Sequence, residues 1–580
     1  MKTVFRVVIW FLSLAVMAKM PLAISELVPD LRQQAYAASA GSGNDDVDLG
    51  RSRPEAQVSG RNTIATSLTQ DAAAGIGIKL LSSAEIRQDV SEKAKTDKMA
   101  GANPMKLSLG DFVRLVREKN EQISFQDSEW AIRREAVEGA KAIFEPALVG
   151  SYQHLNDNRK NTIQELLNQG FIPEFNEISD TYQAAIEGLA LTGGRLRIGY
   201  SLRDFSNSID KRYNVEREAQ TVFGASVTQP LLKGGGIQPT TAGIQVAEAE
   251  ADIAFQTYRQ QMMRVVSEAI TTYWDLYLAR EKYKLRKESE HNAEELLKDN
   301  LVRVKTGKMA EKEVLEAEAG LALRKSLVSE AKQTIVFAMN SARNFISSSV
   351  AETKAEIEPA EQLVLKEIQP DYSDSLARAF RLRAEYVASQ KKMKREDIRL
   401  VFAENQIWPQ LDLKGSYNMN GLADTPGNSW HDSQKKDDYT TWSVGIELRI
   451  PLGGDLKNRS ELAATRQRKR QTLLEMKSVE VALANEVDTA IHNVYNAREQ
   501  AGYYASVADK NRRLLEAEIA RFKAGKSNSR ILLERDEDLN KGREAEIESL
   551  VKYQKALLQL NLAEGSLLIN HGIEVMGADL

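Results

Sequence analysis

The sequence predicts a mixed α and β chain, mostly α, built from two tandem halves in which short strands feed very long helices. Three observations predict it. The first is near-strict alternation. Ala219, Phe223, Ala225 and Val227 oppose Gln220, Ser226 and Thr228, with Val222 the one exception. Trp442, Val444, Ile446, Leu448 and Ile450 oppose Ser443, Gly445, Glu447 and Arg449. Such patterns mark strands with one apolar and one polar face. The second is that residues 244–306 contain neither Gly nor Pro, so roughly 60 residues can form one helix of about 90 Å. The third is internal repetition. Tyr277-Leu278-Ala279-Arg280-Glu281 matches Tyr495-Asn496-Ala497-Arg498-Glu499, and Arg303-Val304-Lys305-Thr306-Gly307-Lys308 matches Arg521-Phe522-Lys523-Ala524-Gly525-Lys526, both at an offset of 218 residues. Two matches in phase across a helix-length gap define a duplicated half.

Taken in order, the chain opens with Lys2 and Arg6 before an apolar run over residues 7–17, and then candidate cleavage sites of small residues around Ala37 and Ala40. This reads as a secretory signal peptide over 1–40. The run is short and Lys19 interrupts its end, which disfavours an uncleaved anchor. Residues 41–104 are rich in Gly, Ser, Ala, Asp and Arg and read as a disordered extension, with short helical turns around 84–94. The first repeat is expected over 105–358 and the second over 359–580.

Each repeat starts with helical spacing. In the first, Leu109, Phe112, Val113 and Val116 are followed by Trp130, Val137, Ala140 and Phe144; in the second the matching segment is 375–408. Pro146 and Pro409 end these segments and open strands, because Pro cannot continue the helical ladder. Strands are expected over 147–155 and at Leu411, Leu413, Gly415, Tyr417 and Met419, with a polar loop over 420–438. The first half carries an additional hairpin, with arms at 182–191 and 195–203 turning at Gly193-Gly194. Pro230 and Pro451 close the last strand of each half. The long helices then carry an apolar stripe, Tyr258, Met262, Val265, Ala269, Tyr273, Leu276 and Tyr277 in the first, of the kind that forms a coiled-coil seam. Gly307 and Gly525 interrupt them, and helical patterning resumes at 314–345 and 531–568.

Composition narrows the function. A net charge of −4 over 580 residues argues against nucleic acid as a partner. The absence of Cys excludes thiolate metal sites, disulfides, Cys nucleophiles and a lipidated N-terminal Cys. Five scattered His residues form no ligand pair. The Gly-Lys-Ser at Gly525 has Ala520 where a phosphate-binding loop needs Gly. The basic runs 391–395 and 466–470 read as solvated faces. No catalytic constellation and no cofactor site emerges, so an enzyme is not expected. Two-faced strands can enter a bilayer only in a closed barrel. One chain offers four to six of them, fewer than the eight of the smallest membrane barrels, so closure requires several chains.

This order of junction prolines, strands, Gln229-Pro230-Leu231-Leu232, long helix, Arg303-x-Lys-x-Gly307 and returning helix, given twice over about 107–568, resembles the TolC family of outer-membrane exit ducts. The resemblance implies a homotrimer with a joint β-barrel in the lipid of a Gram-negative outer membrane and an α-helical barrel across the periplasm. It also implies a periplasmic adaptor and an inner-membrane pump as partners, in drug efflux or type I protein secretion. On the family pattern the adaptor-docking tips would be Gly307, Lys308, Gly525 and Lys526. The periplasmic gate would use Glu534, with Glu313 and Glu316 at the equivalent first-half spacing; Ile531 stands where the family places a second acid. The family uses four strands per chain, so the hairpin at 182–203 departs from it and its place is open. A periplasmic adaptor or a structural coiled-coil protein of the envelope is the alternative. It leaves the two-faced strands without a role.

Overall fold

The computed structural model describes residues 105–168, 171–212, 215–346, 356–361, 363–365, 367–435 and 439–573. The signal peptide and extension expected before residue 105 lie outside them. A short first strand, β1 (Met105–Leu107), leads into helices α1 (Leu109–Lys119) and α2 (Glu121–Lys141). Strands β2 (Ala147–Lys160), β3 (Glu174–Leu189), β4 (Arg195–Asn207) and β5 (Glu218–Pro230) follow. Helices α3 (Ile237–Lys305) and α4 (Glu311–Ile346) complete the first half. The second half runs β6 (Ile357–Pro359), α5 (Tyr372–Leu382), α6 (Ala384–Gln406), β7 (Gln410–Ala423), β8 (Thr440–Arg449), α7 (Leu456–Lys523) and α8 (Ser529–Glu564). Thr425–His431 belong to a separate unit and carry most of a short helix, Pro426–Ser433, inside what reads in the sequence as a polar loop.

The duplication is visible in the packing. Ala269, Tyr273, Leu276 and Ala279 of α3 are buried, and so are Val487, Ile491, Val494 and Ala497 of α7, which stand 218 positions later. One core gathers Ala269, Tyr273 and Leu276 with Phe112, Val113 and Val116 of α1; the other gathers the four α7 residues with Ala379 of α5. Tyr273 donates its hydroxyl to the Leu107 carbonyl at 3.0 Å. Burial, and after it the nearby Glu361 carboxylate, pushes that phenol up to about 12.

Several boundaries differ from the sequence expectation. The helix preceding the barrel strands is two helices in each half. The breaks fall at Asn120 and Arg383, single residues in extended conformation. Asn120 then caps α2, its side chain accepting from the backbone N–H groups of Gln122 and Ile123. Helix α3 starts at Ile237 rather than 244. Pro239 is tolerated there because the first-turn N–H groups have no intrahelical partner. Helix α8 ends at Glu564, before residue 568, because Gly565 turns left-handed at φ 73°. Strand β1 pairs in parallel with β6, Met105 opposite Ile357, and β6 straddles residue 358, the end expected from the sequence for the first repeat.

Among the described residues, six strands form one antiparallel meander in the order β2-β3-β4-β5-β7-β8. The hairpin left open in the sequence is an integral part of it, with arms longer than the alternation suggested. Because cross-strand partners share a face, the registers sort every side chain. One face holds Leu148, Ile186, Ile198, Ala225, Tyr417 and Trp442; the other holds Gln183, Ser201, Val222, Ser416 and Ser443. The first is an apolar face and the second mainly polar. Val444 and Ile446 on the apolar face are each 70% exposed, an arrangement suited to lipid and not to water.

Candidate docking tips and duct mouth

Each long helical hairpin ends in the same turn. Gly307 and Gly525 adopt φ 67° and 69°. The N–H of Gly307 donates to Val304 O and that of Lys308 to Arg303 O; Gly525 and Lys526 repeat this onto Phe522 O and Arg521 O. This pattern closes a helix C-terminus on a left-handed residue, which explains the Gly at both positions. Lys308 and Lys526 project from the turns, exposed.

The two tips lie side by side. The Arg303 guanidinium sits 4.8 Å over the Phe522 ring, a cation–π contact between hairpins. Buried Asn300 donates to Ser529 Oγ at 2.8 Å and to the Glu313 carbonyl at 3.1 Å. The Glu313 carboxylate accepts from the Ser529 backbone N–H at 2.8 Å, at the start of α8. Glu313 thus adds an acceptor from the other hairpin to a helix start already capped by Asn528, whose side chain accepts from the Ile531 N–H at 3.0 Å. Glu316 pairs along its own helix with Lys312 at 3.5 Å. Glu534 is exposed on α8. The three acids named from the sequence are therefore not gathered into one cluster within a chain. Nearby, Lys298 is raised by its hydrogen bond and charge contact with Glu295 one turn away.

A few turns above the tips lies a polar group that the sequence reading missed. Arg324 of α4, nearly buried, donates to Ser289 Oγ of α3 at 3.0 Å and to Asp536 Oδ2 of α8 at 3.1 Å. Ser289 donates to the same Asp536 oxygen at 2.8 Å, and Asn540 donates to it at 3.1 Å. A ladder of ion pairs continues upward, with Arg286 on Glu544 at 2.6 Å and Lys555 on Asp275 at 2.6 Å. The only sequence signal is Asp536 and Asn540 standing one turn apart where an apolar stripe is expected.

At the other end, the four junction prolines bracket the sheet. Pro146 and Pro409 immediately precede β2 and β7, Pro230 ends β5, and Pro451 follows β8. Asn405 ties two junctions, accepting from Gly234 N–H at 2.7 Å and donating to Leu232 O at 3.1 Å. Asp455 is held below the usual carboxylate range by the Asn458 amide and then by the Lys233 ammonium, 3.5 Å away. The basic runs are paired: Lys391 with Asp252, Arg395 with Glu396, and Lys469 with Asp397. Among the described residues no group of three His, Asp or Glu could hold a metal ion, and no helix is long and apolar enough to cross a membrane.

A two-faced antiparallel sheet continued by paired coiled-coil hairpins defines an outer-membrane channel protein. The family model for outer membrane efflux proteins matches residues 195–343 and 372–566, more than half of the chain. The chain belongs to that family. Solved structures agree in fold. The Campylobacter jejuni CmeC outer membrane channel superposes with a TM-score of 0.56 at 15% identity, over 79% of this chain and 86% of that one. VceC, an outer membrane protein of Vibrio cholerae, gives 0.54 at 13%, over 79% and 96%. The open state of the Neisseria gonorrhoeae MtrE outer membrane channel gives 0.53 at 15%, over 79% and 89%. No curated protein matches in sequence. The protein is accordingly an outer-membrane efflux channel of the Gram-negative envelope that extends into the periplasm, a channel fold and not an enzyme fold. The adaptor and scaffold alternatives give way.

Proposed function

We propose that three copies of this chain form a passive exit duct that receives cargo from an inner-membrane pump through a periplasmic adaptor docked on the helical tips. The observation that carries the docking is the pair of matched turns at Gly307 and Gly525. Both present an exposed Lys, and they are fixed side by side by Arg303, Phe522, Asn300 and Ser529. A homotrimer is supported by the edges of β2 and β8, which among the described residues pair with no further strand, run antiparallel to each other and need partners that further copies supply. Opening is an iris-like loosening of the hairpins near Gly525 on adaptor contact. Glu534, exposed on α8, is the acid free to ring the mouth; Glu313 and Glu316 support the tips.

The docking assignment is tested by the double charge reversal Lys308→Glu with Lys526→Glu. Loss of export with an intact oligomer in the outer membrane is the expected result; unchanged export refutes the docking. The gate is tested by disulfide-locking Glu534→Cys between neighbouring copies. The lock should stop export until reduced, and undiminished export sinks the iris.

A further inference from the structure

We propose that the membrane pore is an eighteen-stranded barrel, because all six strands of each copy span the bilayer. This rests on the trimeric duct proposed above. The strands β3 and β4, which the four-strand pattern of the TolC resemblance leaves unassigned, decide it.

Three observations place this hairpin in the wall. The first is register. Strand β3 pairs with β2 from Ala147↔Glu187 to Lys160↔Glu174, and β4 pairs with β5 from Arg195↔Thr228 to Phe205↔Glu218. The hairpin therefore runs along β5 over 218–228, and among the described residues β2 has no strand neighbour but β3. At 16 and 13 residues its arms exceed the 9–11 or so that a tilted strand needs to cross a bilayer.

The second observation is the sorting of faces. Tyr182, Ile186, Leu196, Ile198 and Leu202 fall on the face that Val444 and Ile446 occupy. Thr181, Gln183, Arg197, Ser201 and Arg203 fall on the opposite face. Ile186 and Ile198 are 41% and 45% exposed, apolar surface that an aqueous position would leave wet. Polar Asp180 and Asp204 share a register position on the apolar face and mark its far edge.

The third is the turn. Thr192 O accepts from Gly236 N–H at 3.0 Å and from the Gln229 amide at 2.9 Å, while the Thr192 hydroxyl donates to Gln229 Oε1 at 2.8 Å. Gly193, at φ 84°, lies so close to the Gly234 carbonyl that a Cβ would sit 2.5 Å from it. The hairpin turn is thus seated on the strand-to-helix junction of β5 and α3, level with the periplasmic rim. No helix continues it downward.

The consequence is width. With strands about 4.8 Å apart and tilted about 40°, eighteen strands give a backbone diameter of about 36 Å, against about 24 Å for twelve. The barrel then does not set the cargo limit. Any size selection falls to the helical mouth.

The chain has no Cys, so single thiols report cleanly. The full-length protein would carry one of Ile186→Cys, Ile198→Cys, Val444→Cys or Ser201→Cys, labelled with a bimane fluorophore. It would be reconstituted in phosphatidylcholine vesicles brominated on the acyl chains. Quenching at 186 and 198 within about twofold of that at 444, with 201 spared and open to a membrane-impermeant thiol reagent, is expected. Strong quenching at 444 with none at 186 and 198 would overturn the eighteen-strand pore while leaving the duct intact. No quenching at 444 would overturn the duct and this inference together. Because each label replaces one side chain on a ten- to sixteen-residue strand, folding is checked by the heat-modifiable oligomer band of each variant.

Discussion

Replacing Asp536 by Ala should loosen the two hairpins from one another, and its size can be worked from the contacts. Asp536 Oδ2 receives Arg324 at 3.1 Å, Ser289 at 2.8 Å and Asn540 at 3.1 Å. The Arg324 side chain is 5% exposed and that of Asp536 is 11%. Removing one partner of such a pair strands the other charge in the interior and costs about 3–5 kcal/mol. Local opening of the surrounding helices should rise by about two to four orders of magnitude. Hydrogen exchange read by mass spectrometry on peptides covering 286–296 and 529–545 would measure it, with the α1 region as internal control. Replacing both members, Arg324→Met with Asp536→Leu, removes the stranded charge and should bring protection back to within about tenfold of the parent. Unchanged exchange in Asp536→Ala would refute the reasoning. So would a double variant as loose as the single.

Tyr273→Phe tests the buried phenol. Its acidity is suppressed in the folded chain, so its contribution is complete below about pH 10, the unfolded value, and is lost as pH rises through about 12. Alkaline loss of helix signal should therefore move upward in the variant, and an unchanged alkaline midpoint contradicts the assignment. At neutral pH the same change costs only about 1 kcal/mol, for one hydrogen bond to Leu107 O. Glu313→Ala removes the carboxylate that accepts from Ser529 N–H beside the Asn528 cap and should lower protection of the first turn of α8 by about 0.5–2 kcal/mol, whereas Glu316→Ala, which breaks a half-exposed pair, should leave it within about 0.5 kcal/mol. Gly565→Ala must hold a left-handed backbone with its Cβ 2.8 Å from the Leu382 carbonyl carbon. A cost above about 1–2 kcal/mol is expected, seen as a lower dissociation temperature of the oligomer; no change would mean the α5–α6 break can move aside.

Much of the architecture was legible because its signals are long. Alternations of ten residues at 219–228 and nine at 442–450, a sixty-residue stretch without Gly or Pro, and two matches at one offset survive local noise. What was not legible is short or non-local. The breaks at Asn120 and Arg383 use one ordinary residue each, and neither Gly nor Pro marks them. The pairing of β1 with β6 spans three residues and needs two segments some 250 positions apart. The arms of the hairpin run past the sequence limits because Glu174, Asn176, Asp204 and Ser206 break the alternation where the strands leave the apolar band. At the tips, the Gly turns read directly from the repeat. The engagement of Glu313 with Ser529 and of Arg324 with Asp536 joins residues 216 and 212 positions apart, which spacing along one helix cannot reveal.

The hairpin between β2 and β5 also says how such a wall can change size. A meander can take up strands only in twos if its first and last members are to keep opposite directions. Inserting β3 and β4 obeys that parity. The outer edges, the four proline junctions and every helix below them keep their roles, and only the circumference changes. Aperture and assembly are thereby separate variables in this scaffold. On the trimeric duct proposed above, a lineage can retune the bore of its outer pore by gaining or losing one hairpin while keeping the edge strands and the helical tips as they are.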